Sequence, residues 1–197
     1  MALLKALLWP VQLWNDVVLG LGRWIAMLCI ALMVVCILLQ VFFRYVLDNA
    51  LPWPDEAARF FMLWMTGLIA PLAYRQGGFV SIDLVLQLIN QRLAALISLV
   101  LLAVAGTVLY WAMSIGWNEV TGFGGRFNTA SLFLPVSLDF SEWFRVPRAW
   151  AFASLLVGVV LLFIVNLELI LRSLIALMGQ AHTLRPIAPA GDDILVE

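Results

Sequence analysis

The stretch LPWPDEAARFFMLW, residues 51–64, gathers Asp55, Glu56 and Arg59 between two of the most apolar parts of the chain. Pro52 and Pro54 come first. Proline fits the opening turn of a helix, and acids there meet the positive end of its dipole. A helix therefore starts here, and the apolar run 57–74 continues it. Glu56 and Arg59 stand three residues apart, a spacing that lets them pair on one helix face. Trp53 takes an interfacial position. Arg44 closes the preceding apolar run and can reach the same acids across a short loop. Without its charged start this helix offers only about 15 apolar residues, short of the ~17–25 a membrane span needs. Arg59 thus belongs to the span and is expected to be paired and to face protein or water.

Three more runs surround this one: 24–43, 93–117 and 149–167. The 197-residue chain is 64% hydrophobic and 12% charged, too oily for a soluble domain, where charged residues make up about 25%. The expected fold is an all-α integral membrane protein with four transmembrane helices at about 22–46, 55–75, 92–118 and 148–171. Residues 1–178 form one membrane domain, and 179–197, which holds His182, is a polar tail. Trp24, Trp53, Trp117, Trp143 and Trp150 lie near the ends of the runs, as an interfacial belt requires.

Residues 3–21 read as an amphipathic helix in the membrane plane, since Lys5, Gln12 and Asp16, with Arg23 just beyond, share a narrow arc. Residues 81–91 repeat that pattern, with Asp83, Gln87, Asn90 and Gln91 on one side. The connection 118–148 is the longest polar segment, and TGFGGRFNT within it is turn-like. Cys29 and Cys36, seven residues apart in one apolar run, read as packing residues. The net charge of −1 gives no basic footprint for nucleic acid. With both termini inside, six basic residues fall inside and five outside, so charge alone does not orient the chain.

The runs 24–43 and 93–117 carry no charged residue, the fourth span has none before Glu168 at its end, and the one histidine lies in the tail. Transmembrane b-type haem ligation and a Ser-His protease both need a histidine at membrane depth. A proton-coupled carrier needs a carboxylate there. HExxH, P-loop and GxGxxG patterns are absent, so no enzyme, cofactor or metal site is expected. What the spans do carry is packing faces. Gly22, Ala26, Cys29, Met33, Cys36, Gln40 and Arg44 make one stripe, and the Gln40 amide requires it to face protein. Gly67 and Ala70 share a face with Glu56 and Tyr74. Ala95, Ser98, Gly106 and Gly116 lie broadly on one side of the third span. Each stripe suits either an internal seam or a second protein.

The segment RYVLDNALPWPDEAARFFMLWMTGLIAPLAYRQGGFVSIDLV, residues 44–85, resembles the signature region of the small (Q-type, DctQ-like) membrane subunit of tripartite ATP-independent periplasmic (TRAP) transporters. Arg44, Tyr45, Leu51, Trp53, Glu56, Arg59, Trp64, Gly67, Gly78, Ile82 and Asp83 fall on that pattern, while Phe79 stands at its usual histidine. The resemblance implies an accessory scaffold with no cofactor of its own. It would pack on the static part of a large, elevator-type, sodium-coupled subunit and help dock a periplasmic binding protein for an organic acid. It also implies a bacterial inner-membrane location, surrounding lipid and cytoplasmic termini. Gln40, Arg44, Trp53, Asp55, Glu56, Arg59 and Gly67 are then expected at structural or subunit interfaces, with Arg44, Glu56 and Arg59 as a charged knot. Phe123, Arg126 and Phe127 are expected to touch the binding protein. A membrane enzyme or cofactor carrier, and a self-contained homo-oligomeric transporter, are the alternatives.

Overall fold

The structure is a computed structural model that describes residues 2–77, 91–135, 143–178 and 187. The second amphipathic segment before Gln91, Gly78, Phe79, Ile82, Asp83 and His182 lie outside the described residues. Among the described residues, four helices are long and apolar enough to cross a membrane: α1 (Ala2–Tyr45), α2 (Trp53–Arg75), α3 (Gln91–Thr121) and α4 (Ala149–Leu177). Contacts divide the chain into two compact units. One holds Met1–Leu21, Ile69–Ala112 and the chain from Val159 on; the other holds Gly22–Leu68 and Met113–Gly158.

The first correction concerns α1. The sequence suggests an in-plane helix at 3–21 and then a span from about 22, but the structure has one unbroken helix of 44 residues, ~66 Å long. Gly20 and Gly22 are the only weak formers at the expected joint. Each disfavours a helix by only about 1 kcal/mol relative to alanine, which buried contacts outweigh. The buried positions run along the helix in steps of three, four or seven: Leu8, Asn15, Leu19, Gly22, Ala26, Cys29 and Cys36. The stripe read from Gly22 to Cys36 is therefore an internal seam. Gln40, farther along, is half-buried, and its Oε1 has no hydrogen-bond partner.

Helix ends follow their local chemistry. After α1, Asp48 takes a left-handed conformation (φ 48°), and Asn49 N–H donates to the Phe43 carbonyl at 3.0 Å. Beyond α2, Gly77 has φ 87°, the left-handed geometry that a C-terminal glycine supplies without strain.

The second correction concerns the connection between α3 and α4. It is more than a turn-like polar loop. A 3-10 turn (Gly124–Arg126) leads into strand β1 (Asn128–Pro135), which pairs antiparallel with β2 (Trp143–Pro147). The register shifts between Asn128 and Phe133. Leu132 and Val146 from this ribbon are buried with Cys36 of α1 and with Ala57 and Ala58 of α2. Met33, Phe60 and Phe61 pack against that cluster. The other unit buries Leu8, Leu19, Val165 and Ile175.

Candidate functional site

The charges at the start of α2 separate into two arrangements. Arg59 pairs with Asp55, one helical turn back, at 2.9 Å, and both side chains are well exposed. Glu56 instead reaches the ribbon. Its Oε1 accepts the Ala130 N–H at 3.1 Å, and its Oε2 accepts the Ser131 N–H and hydroxyl, each at 2.6 Å. The register shift explains this. Between Asn128 and Phe133 the strand amides are out of step with β2, and two of them are free to turn toward the carboxylate. The Ser131 hydroxyl also lies 2.9 Å from the Pro52 carbonyl. Arg44 stacks over its neighbour Tyr45, with 5.7 Å to the ring centroid. The expected knot of Arg44, Glu56 and Arg59 is therefore replaced by an Asp55–Arg59 pair and a Glu56 clamp, because the strand amides hold Glu56 in three charge-assisted bonds.

This difference gives a prediction. Glu56→Ala strands two amides and is expected to destabilise the chain by about 2–3 kcal/mol. Arg59→Ala removes an exposed pair worth under about 1 kcal/mol. Thermal melts of the two variants in detergent check the order.

The other unit contains a cluster that sequence reading missed. Glu168 is fully buried. Its Oε1 accepts from Arg75 Nη2 and from Arg172 Nε, each at 3.0 Å, and its Oε2 accepts from Asn15 Nδ2 at 2.6 Å. Arg75 Nε lies 2.9 Å from Oε2 as an ion-pair contact, but its N–H is not aligned for a hydrogen bond. Arg75 Nη1 reaches Asp16 at 2.6 Å. Two acids thus balance two arginines across α1, α2 and α4. A signal was available: in any four-span hairpin chain, Asp16, Arg75 and Glu168 stand at the same membrane side.

Nearby, Asn166 is fully buried. It accepts from the Tyr74 hydroxyl at 2.7 Å and donates to the Leu102 carbonyl at 3.1 Å, joining α2, α3 and α4. A Cβ on Gly106 would lie 2.9 Å from its Nδ2, so glycine keeps that approach open. Interhelical bonds of this kind average ~0.6 kcal/mol and reach ~1.7. Asn166→Leu is expected within that range by thermal melt, well below the Glu56→Ala loss.

Gly67, expected at an interface, meets α4. A Cβ on it would fall 2.5 Å from the Ser154 carbonyl oxygen, and one on Gly158 would fall 2.8 Å from the Gly67 carbonyl oxygen. The backbones of α2 and α4 therefore touch directly. Trp53, Phe123 and Phe127 are exposed, as is Arg126, and the two phenylalanine rings meet edge to face with centroids 4.9 Å apart. No group of three or more His, Cys, Asp or Glu side chains placed to hold a metal occurs among the described residues.

Residues 33–176 match the family described as tripartite ATP-independent periplasmic transporters, DctQ component. No curated protein and no solved structure matches the chain.

Proposed function

This chain belongs to the DctQ component family of tripartite ATP-independent periplasmic transporters, and from that premise we propose that it is the stationary accessory subunit of such a transporter. The family brings with it a large membrane subunit and a substrate-binding protein as partners. In this reading the chain lies in a bacterial inner membrane with both termini cytoplasmic. It packs on the fixed part of the large elevator-type subunit, which carries an organic acid, a carboxylate or sugar acid, together with sodium.

The observation that supports a scaffold role is the use made of buried charge. Glu168, Arg75, Arg172 and Asp16 neutralise one another within a single cluster. A transport path needs polar groups that can exchange partners with a moving solute. A cluster whose members are committed to each other suits a rigid wall.

The test is a tagged pull-down from native membranes in mild detergent, read by mass spectrometry. One large multi-span protein at equal stoichiometry is the expected result. Recovery of this chain alone, as a monomer or homo-oligomer, would overturn the proposal.

A further inference from the structure

Leu7, Trp14, Leu21, Leu28, Val35 and Phe42 recur every seven residues along α1, and each is more than half exposed. Two helical turns take about seven residues, so these positions form one slowly winding stripe. It lies across the helix from the buried seam that holds Leu8, Leu19 and Ala26. Asp16 and Arg23 each follow a stripe position by two residues, which turns them ~160° away from it.

The stripe is longer than a bilayer is thick. The apolar stretch of α1 is Leu7–Tyr45, 39 residues. That is ~58 Å of helix against ~30 Å of hydrocarbon. Helix α1 meets α2 as Gly22 with Leu68 and again as Asp16 with Arg75, where α2 ends. The turns before Asp16 therefore run past α2. A helix end standing in water turns a polar face outward. Here the outward face keeps Leu7, Leu13 and Trp14, all more than half exposed.

The residues of this face select what covers it. Close helix pairs in a membrane meet through small side chains. On α1 these are Gly22, Ala26, Cys29 and Cys36, and they are already buried. The open stripe carries Leu, Val, Trp and Phe at its seven-residue steps, bulky groups that suit acyl chains better than a closely approaching helix. It also continues without a break from Val35 to Leu7, so surface that meets lipid at one end adjoins the same kind of surface at the other.

Tilt resolves the mismatch in length. At about 40°, the upper end of the range for membrane helices, ~58 Å of helix shortens to ~44 Å along the bilayer normal. Hydrocarbon and headgroup layers together measure about 40–45 Å. The exposed Trp9 and Trp14 then differ in depth by only ~6 Å and share the headgroup layer on one side, while the exposed Tyr45 reaches the layer opposite.

We propose that the open face of α1 lies in lipid along its whole length, from Leu7 to Tyr45, so that α1 crosses the bilayer at about 40° and Leu7–Leu21 stays within one leaflet and its headgroup layer. The occupant is the bilayer itself, with acyl chains along the stripe and headgroups at Trp9 and Trp14. This does not rest on the transporter reading.

The test uses the full chain in native membranes. p-Benzoylphenylalanine, which couples on illumination to the C–H bonds it touches, replaces Leu7, Val17, Leu38 or Tyr45, one per variant, and mass spectrometry identifies the adducts. All four positions are exposed and have room for the probe. Lipid adducts at all four are expected, with comparable yields at Val17 and Leu38. Lipid at both Leu7 and Tyr45 requires the tilt, because an upright helix holds at most ~45 Å of its length between the two headgroup surfaces. Absence of lipid adducts at Leu7 and Val17, with Leu38 still coupling to lipid, would put the first half of α1 in water and overturn the proposal. Adducts at Leu7 and Val17 to a large membrane protein or to a second copy of this chain, in place of lipid, would overturn it and assign the face to that partner. If the Val17 variant does not accumulate, Leu13 reports on the same face one turn away. Lipid adducts at all four positions stand whether or not a pull-down recovers a large subunit.

Discussion

Glu168→Ala is expected to be among the most destabilising single changes in this chain, lowering its stability by about 3–5 kcal/mol. Its carboxylate accepts from Asn15, Arg75 and Arg172, and it has no exposure of its own. Removing it leaves Arg75, 9% exposed, with Asp16 as its one counter-charge among the described residues, and takes from Arg172 the acid one turn before it. Folded proteins are stable by only about 5–15 kcal/mol, so such a loss consumes a large share. Asp16→Ala touches the same cluster from its open side. Asp16 is 44% exposed, and water can replace its contact with Arg75, so a loss of about 1 kcal/mol or less is expected. Adding Arg172→Ala to Glu168→Ala restores charge balance and should recover part of the stability. Thermal melts and protease resistance in detergent compare the three. Equal losses for Glu168→Ala and Asp16→Ala would show that burial does not set the strength of this cluster.

Three of the four spans were legible as apolar runs long enough to cross a bilayer, and the second reached that length once its charged start with Arg59 was counted. The start of α2 was legible for the same local reasons, in Pro54, Asp55 and Glu56. The polar chemistry was not, because it is made between distant residues. Asn15 meets Glu168 across 153 positions, and Ser131 meets Glu56 across 75. Local spacing instead suggested Glu56 with Arg59, a pair that the freed amides of β1 displace. Counting Arg75 and Arg172 as topology signals concealed their other property, that an acid on a neighbouring helix end stands at the same depth. The unbroken α1 was hidden because an amphipathic pattern followed by an apolar one reads as two helices. Both patterns in fact share one buried stripe. Gly67 was legible as a close-packing position, whereas its partner Gly158 sits in an apolar run where one glycine attracts no notice.

Gly158→Leu tests that close approach, and its expected effect rivals that of Glu168→Ala. Even a bare Cβ at Gly158 would lie 2.8 Å from the Gly67 carbonyl oxygen and 2.9 Å from its Cα. Both are backbone atoms, which cannot swing aside by changing rotamer, so the helices themselves must separate. Overpacking ordinarily costs about 1–3 kcal/mol; with backbone on both sides, the upper end or beyond is expected. Pro71 adds to the argument. It has no N–H to donate to the Gly67 carbonyl four residues earlier, so that oxygen lacks its usual helical partner and faces the α4 backbone instead. Gly20 is the internal control: a Cβ there meets nothing within 4 Å, and alanine favours helix by about 1 kcal/mol. Gly20→Ala should therefore melt at or above the unaltered chain, and Gly158→Leu far below it. The crossing and the Glu56 clamp belong to the same compact unit, so opening the crossing should also loosen the ribbon at Asn128–Pro135 and Trp143–Pro147. Limited proteolysis would then cut Gly158→Leu in that ribbon while leaving Gly20→Ala intact. Matching melts and matching cleavage for the two variants would mean that α2 and α4 have room to spare at Gly67, and that the glycine pair does not hold them together.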